Sequence, residues 1–290
     1  MTKQTCIRCV MFLLLAAVFL LQCKTETITS RWAEESMKID GACLEWGSDL
    51  VYNEDNGISY GIKNDDKMLY FVFITDDPNL QRRTILNGLV IWLDERGVKE
   101  KNIGFKYPRG LMERDMPSRN IMRALYTPDG RIDEAKFQLF VDQQFRDIQI
   151  VDKRGENLGI YTHREAEAID VKFRLTCADN RMIYEMCLPL IGPEKHPWSL
   201  KSAQTICLGI EQPELDRSQF GRGPSMGGTN MMDASGGSGG RGGRGRGGSP
   251  GGGMDAGMAE MPTSSMGGGL QSTKTLKLWM NVVLASNVHE

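Results

Sequence analysis

The chain has 290 residues, 40% of them hydrophobic and 25% charged, with a formal net charge of −2. That balance gives no reason to expect nucleic acid or an anionic surface as the main partner. Three histidines (His163, His196 and His289), no two of them at zinc-motif spacing, argue against a His-rich metal site.

The first 23 residues read as an export signal. Lys3 and Arg8 supply a positive start, and Val10 to Leu21 is an apolar run of twelve residues, short of the ~20 that span a bilayer. The run ends at Leu20-Leu21-Gln22-Cys23, which resembles a bacterial lipobox and makes Cys23 the candidate for lipidation. Gln22 departs from the small residue usual before that Cys, so ordinary secretion or an uncleaved anchor stays open. The expected location is outside the cytoplasm, lipid-anchored in the cell envelope. Cys6 and Cys9 spell C-x-x-C inside this segment and carry no redox reading. Cys43, Cys177, Cys187 and Cys207 lie beyond it, and four cysteines allow three pairings.

A polar tether, 24–30, leads into a folded domain expected over 31–211 plus 273–286. Strand signals fall at 58–63, 68–76, 88–94, 102–107, 147–152, 168–177, 182–188, 205–211 and 275–285. Nine strands separated by turn residues predict an all-β, antiparallel β-sandwich. One helix is expected over 133–146, with Asp133 as its cap and Phe137, Phe140, Val141 and Phe145 on one face. A two-residue turn at Asp179-Asn180 sets a hairpin register: Leu175 opposite Tyr184, Phe173 opposite Met186, Val171 opposite Leu188, Arg174 opposite Glu185 and Lys172 opposite Cys187. Cys177 and Cys187 then fall on opposite faces and are not expected to bond, whereas Cys187 with Cys207 stays open if their strands are neighbours. Between the last two strands lies a low-complexity insertion, 212–272, with 20 glycines from Gly221 to Gly269. Its composition predicts disorder, and loop-closure cost grows slowly enough for the fold to tolerate it.

The segments MKIDGACLEWGSDL, NDDKMLYFVFITDD, GLVIWLDERGVK and IYEMCLPL come in an order that resembles a family 9-like carbohydrate-binding module, a DOMON-related β-sandwich. The Gly-rich insertion departs from that pattern. The resemblance implies a non-catalytic domain that binds a glycan. Two rival readings stand beside it: an envelope scaffold that uses the sandwich for protein interaction, and an accessory domain to an enzyme on another chain. Sugar-binding modules stack aromatic faces on pyranose rings, which makes Trp32, Tyr126 and Trp198 the ligand-binding candidates, with Trp46, Tyr107 and Tyr161 also near loops or strand ends. Trp46 belongs to the motif and is expected to pack, and Trp92 and Trp279, inside strands, are expected in the core. Modules of this type hold structural calcium, which points to Asp65, Asp76 and Asp94 as oxygen ligands. Turn-forming Asp residues that bond their own backbone give the competing account. No other cofactor is expected. Catalysis finds little support: outside the low-complexity insertion no G-x-S-x-G occurs, and no carboxylate pair stands out. Haem ligation by Met and His, Cu(I) binding by the methionines of the insertion (Met226, Met231, Met232, Met254, Met258, Met261, Met266), and nucleic-acid binding by its RGG repeats are weaker alternatives.

Overall fold

The computed structural model describes residues 26–195, 198–200, 203, 205–214 and 275–287. The leader with Cys23, His196, His289 and residues 215–272 of the insertion lie outside the described residues.

Thirteen strands build two sheets among the described residues. In chain order they are β1 (Glu26–Thr29), β2 (Arg31–Trp32), β3 (Val51–Asn53), β4 (Ile58–Asn64), β5 (Met68–Thr75), β6 (Val90–Asp94), β7 (Ile103–Lys106), β8 (Asp147–Asp152), β9 (Asn157–Thr162), β10 (Lys172–Ala178), β11 (Arg181–Pro189), β12 (Thr205–Glu211) and β13 (Lys277–Val283). One sheet runs β1-β13-β12-β6-β7-β8-β9; the other runs β10-β11-β5-β4-β2, with β3 also on β4. All nine expected strands are present. β1, β2, β3 and β9 add to them, because short or exposed strands carry little apolar alternation. The sheets are not wholly antiparallel: β1 lies parallel to β13, and β2 parallel to β4.

The main core lies between the sheets. Tyr60, Phe71, Phe73, Phe173 and Tyr184 face Ile91, Phe105, Ile150, Leu208 and Met280 from the opposite layer, all of them buried. Burying each such side chain contributes about 1.5–3 kcal/mol. The β10–β11 hairpin has the register expected from its turn, Lys172 opposite Cys187 through Leu175 opposite Tyr184. Asp179 and Asn180 both take positive φ, 51° and 62°, the backbone that matches a two-residue loop to the strand twist.

Among the described residues four α-helices and a 3-10 helix over Leu44–Asp49 accompany the sheets. α1 (Pro78–Asn87) starts at Asp77, whose side chain accepts from Asn79 N, with a proline inside its first turn. α2 covers Ser118–Leu125. α3 (Glu134–Gln144) is the expected helix, and Asp133 caps it by accepting from Lys136 N. α4 (His163–Glu167) is held by a capping box between Thr162 and Glu165.

A second cluster lies on the outer face of the six-stranded sheet, where Met37, Trp46, Tyr70, Val72, Ile74 and Ile183 pack together. Its polar centre is Glu185, which is fully buried. One carboxylate oxygen accepts from Gly41 N at 2.7 Å and the other from Trp46 Nε1 at 2.9 Å. The IDG turn, the Glu45-Trp46 pair and the Tyr184-Glu185 pair thus belong to one contact, although some 140 residues separate them in the chain. The Trp46 ring lies against Gly61, where an added Cβ would sit 2.7 Å from Cε3.

The four described cysteines are free. Cys187 belongs to β11 of one sheet and Cys207 to β12 of the other, so their strands are not neighbours and the Cys187–Cys207 pairing does not form. Burial pushes the Cys177 and Cys187 thiols up to about 12 and Cys207 to about 11, which keeps them as inert thiols at neutral pH.

Candidate functional site

The outer face of the seven-stranded sheet carries an arrangement that β-alternation alone would not reveal. Cross-strand register places Trp279, Gly209, Trp92, Gly104 and Val151 in one row across β13, β12, β6, β7 and β8. Each tryptophan lies against a glycine on its neighbouring strand. A Cβ at Gly209 would meet Trp279 Cε2 at 2.7 Å, and one at Gly104 would meet Trp92 Cζ3 at 2.7 Å. Glycine at these two positions lets the indoles lie down on the sheet. The adjacent row reads Lys277, Glu211, Val90, Lys106, Gln149 and Ile160 across the same strands and β9. An aromatic row thus runs beside a polar one.

A cavity of about 350 Å³ opens over these rows, lined by Trp92, Lys101, Lys106, Glu113, Gln149 and Glu211, among others. Glu211 accepts from Trp279 Nε1 at 2.9 Å and pairs with Lys101 at 2.5 Å and Lys277 at 3.6 Å. Burial would raise its carboxyl, but Lys101, Trp279 and Lys277 outweigh that and hold it below the usual range. The Lys101 ammonium also lies 5.1 Å from the centre of the Trp92 ring, a cation–π contact. Trp92 is 5% exposed, yet its Nε1 finds no acceptor among the described residues, and Asn281 Oδ1 in the next row has no donor. Buried polar atoms are rarely left so. At the far end of the cavity Lys106 pairs with Glu113. Arg109 bridges Glu113 at 2.8 Å and Asp147 at 2.9 Å, and Arg114 pairs with Asp147 as well.

Trp92 is buried as expected, but in a third, separate apolar cluster on the outer face of the sheet, and the expected core placement of Trp279 is corrected: it is half-buried and packs against that cluster from outside. Strand residues in the middle of a sheet look alike in sequence whichever face they take. Trp198 is also corrected as an open stacking surface. It is 4% exposed, stands edge-on to Phe105 at 5.2 Å and donates through Nε1 to Pro189 O. Tyr107 is buried against Phe173 and Tyr184. Trp32 is half-buried on β2, and Tyr126 is half-buried after α2 with the Arg82 guanidinium 5.3 Å over its ring. None of Trp32, Tyr126 and Trp198 lines the cavity; Trp279 stands beside it, bonded to Glu211 of its wall.

The three carboxylates named for calcium have separate surroundings. Asp65 accepts from Lys67 N, Met68 N and Tyr70 OH in the β4–β5 turn. Asp94, fully buried, accepts from Arg96 N, Val98 N and Glu100 N. Asp76 is exposed after β5. Among the described residues no three His, Cys, Asp or Glu side chains gather as a metal-ligating group. Asp65 and Asp94 organise their own turns.

A second cavity, about 390 Å³, opens where β2 and β3 leave Gly61 and Ile62 of β4 without a neighbour on that edge. Its wall includes Thr29, Ser30, Ser48 and Asp49, and it lacks an indole face.

No family model matches the chain, and no curated protein matches it. Among solved structures, a family 9 carbohydrate-binding module from Caldicellulosiruptor kristjanssonii, in complex with glucose, is similar. The likeness covers 67% of this chain and 81% of that one, at 12% identity and a TM-score of 0.33. A likeness that loose has no bearing on the site. The class of the protein rests on its own architecture, a two-sheet β-sandwich with short helices.

Proposed function

We propose that this domain binds a glycan, without catalysis, on the outer face of the seven-stranded sheet. The observation that carries the reading is the tryptophan–glycine row lying alongside the Lys277–Glu211–Lys106–Gln149 row. Sugars combine apolar C–H faces with a rim of hydroxyls, and an indole beside charged and amide groups complements both. Trp279, half-buried and anchored by Glu211, is the stacking residue; Glu211, Gln149, Lys101 and Lys106 supply hydrogen bonds. Trp198 is too buried to stack on a sugar, and Trp32, on β2 of the other sheet, serves as a comparison site.

In this reading the leader ending at Cys23 is an export signal, and the binding face works outside the cytoplasm, tethered to the envelope through an acyl chain on Cys23. Loss of membrane fractionation in Cys23→Ser tests the tether. A second reading, an envelope scaffold, is favoured by β9, an edge strand whose Leu158 and Ile160 are exposed and which can add a strand from a partner.

A glycan array probed with the full chain, with and without calcium, tests the main reading. Saturable binding that weakens at least about tenfold in Trp279→Ala and survives in Trp32→Ala supports it. Folded protein that binds no glycan overturns it and leaves the scaffold. Binding lost in Trp32→Ala alone moves the site to the other sheet.

A further inference from the structure

We infer that the ligand of the tryptophan-row site is an anionic glycan, a sugar chain carrying carboxylate or sulfate groups, rather than a neutral one; the inference rests on the proposed glycan-binding reading. The geometry points there through a count of donors and acceptors. Five cations lie in or next to the site: Lys101 and Lys106 line the cavity, Lys277 joins Lys101 on Glu211 at one end, and Arg109 and Arg114 extend the pairing of Lys106 at the other. They meet three carboxylates, and each carboxylate is engaged by two of them. Glu211 pairs with Lys101 and Lys277, Glu113 with Lys106 and Arg109, and Asp147 with Arg109 and Arg114. The local excess is therefore two positive charges, in a chain whose net charge is −2.

Hydroxyls of a neutral sugar are held best where carboxylate oxygens are open to accept from them. Here both oxygens of Glu211 and both of Glu113 already accept from a lysine, an arginine or Trp279. The donors are in surplus. An ammonium has three N–H groups and no acceptor, and Lys101 and Lys277 remain 42% and 67% exposed at their side chains. A ligand that brings acceptors and negative charge satisfies this inventory, and a ring face set against Trp279 keeps the contact a sugar contact. The two ends of the cavity each carry one excess charge, which suits a chain with repeated acidic residues.

The test is isothermal titration of the full chain with four glycan probes (a neutral glucan oligomer, a galacturonate oligomer of equal length, the same galacturonate with its carboxyls methyl-esterified, and a sulfated glycan) and with a single-stranded polynucleotide as a non-sugar polyanion. Each is run at low ionic strength and at about 0.3 M salt. The expected result is that the free acid binds about tenfold tighter than the neutral oligomer at low salt, and that the margin narrows at high salt. It disappears on esterification and in the Lys101→Ala/Lys277→Ala double variant. Both lysines are exposed, so that variant should fold. The sulfated arm tells whether charge alone or the carboxylate itself is selected. Equal binding of acid, ester and neutral oligomers overturns the inference and leaves glycan binding standing. Binding of none of the four overturns both. A single-stranded polynucleotide that binds as tightly as the galacturonate, with the same salt dependence, makes the face a general polyanion surface and also overturns the inference.

Discussion

Removing the Glu185 carboxylate tests the energetic link between the N-terminal motif and the sandwich. Glu185→Ala leaves two donors, Gly41 N and Trp46 Nε1, buried without a partner. Each such orphan costs about 1–3 kcal/mol, so the pair is worth about 4 kcal/mol, a large share of the ~5–15 kcal/mol that holds a domain folded. For a domain of this size each kcal/mol moves Tm by roughly 3 °C, which gives a fall of about 12 °C by calorimetry or circular dichroism. Glu185→Gln keeps one carbonyl oxygen for one donor and is expected to lose about half as much. Trp46→Phe removes the indole donor from the same contact, so the Glu185→Ala/Trp46→Phe double variant should fall short of the summed single losses by about 1 kcal/mol. A Glu185→Ala protein that melts within about 3 °C of the parent refutes the reasoning, as does strict additivity.

Three further outcomes follow from the same geometry. Burial, more than anything else, raises the Glu185 carboxyl, while its bonds from Gly41 and Trp46 oppose the rise. A raised carboxyl contributes stability that is fully present below the ordinary carboxylate range and is lost as pH rises through its folded value. Stability should therefore decline with pH across that window, and Glu185→Gln should remove that component of the slope; unchanged slopes would count against it. Gly61→Ala pushes a methyl into the Trp46 ring, costing about 1–3 kcal/mol, to be measured by urea titration; a neutral change would mean the ring moves freely. Truncation after Gly221 removes β13, with Met280 and Val282 fully buried, and should abolish folding. Replacing 215–271 with a short linker should leave the melting curve within a few degrees, since Gln212 N bonds Leu276 O and the two ends already meet.

The framework of strands was legible because each buried strand is a dense apolar run closed by turn residues. The β10–β11 register was legible because a two-residue turn leaves one pairing that puts Phe173, Leu175, Tyr184 and Met186 on the same face. Helices were harder. Asp77 followed by Pro78 and the Thr162-x-x-Glu165 box are helix starts, but the helices they open bury little apolar surface, Leu80 and Ile85 beside Gln81 and Thr84 in one and Ala166 alone in the other, so no helical apolar stripe announces them. The site was hidden for a different reason. Gly209 and Gly104 are far from Trp279 and Trp92 in sequence, and only register across five strands sets them side by side. The Glu211 pairings are equally non-local. A glycine opposite a tryptophan in a paired strand was the available clue, and it needs the strand order before it can be used.

The passage of the chain from β1 to β2 has a mechanical consequence. Residues 26–29 pair with β13, residues 31–32 pair with β4, and Ser30 between them donates to Asn64 Oδ1 at 2.5 Å and accepts from Ala285 N at 2.8 Å. The first and last of the described strands therefore run side by side in the same direction, from Glu26 beside Met280 to Thr29 beside Val283. Tension between the two ends of the chain draws β1 and β13 past each other along their length. It loads their evenly spaced hydrogen bonds together, in shear, instead of peeling them one at a time. A sandwich held at its N-terminal end and pulled from the other meets the force with its strongest geometry.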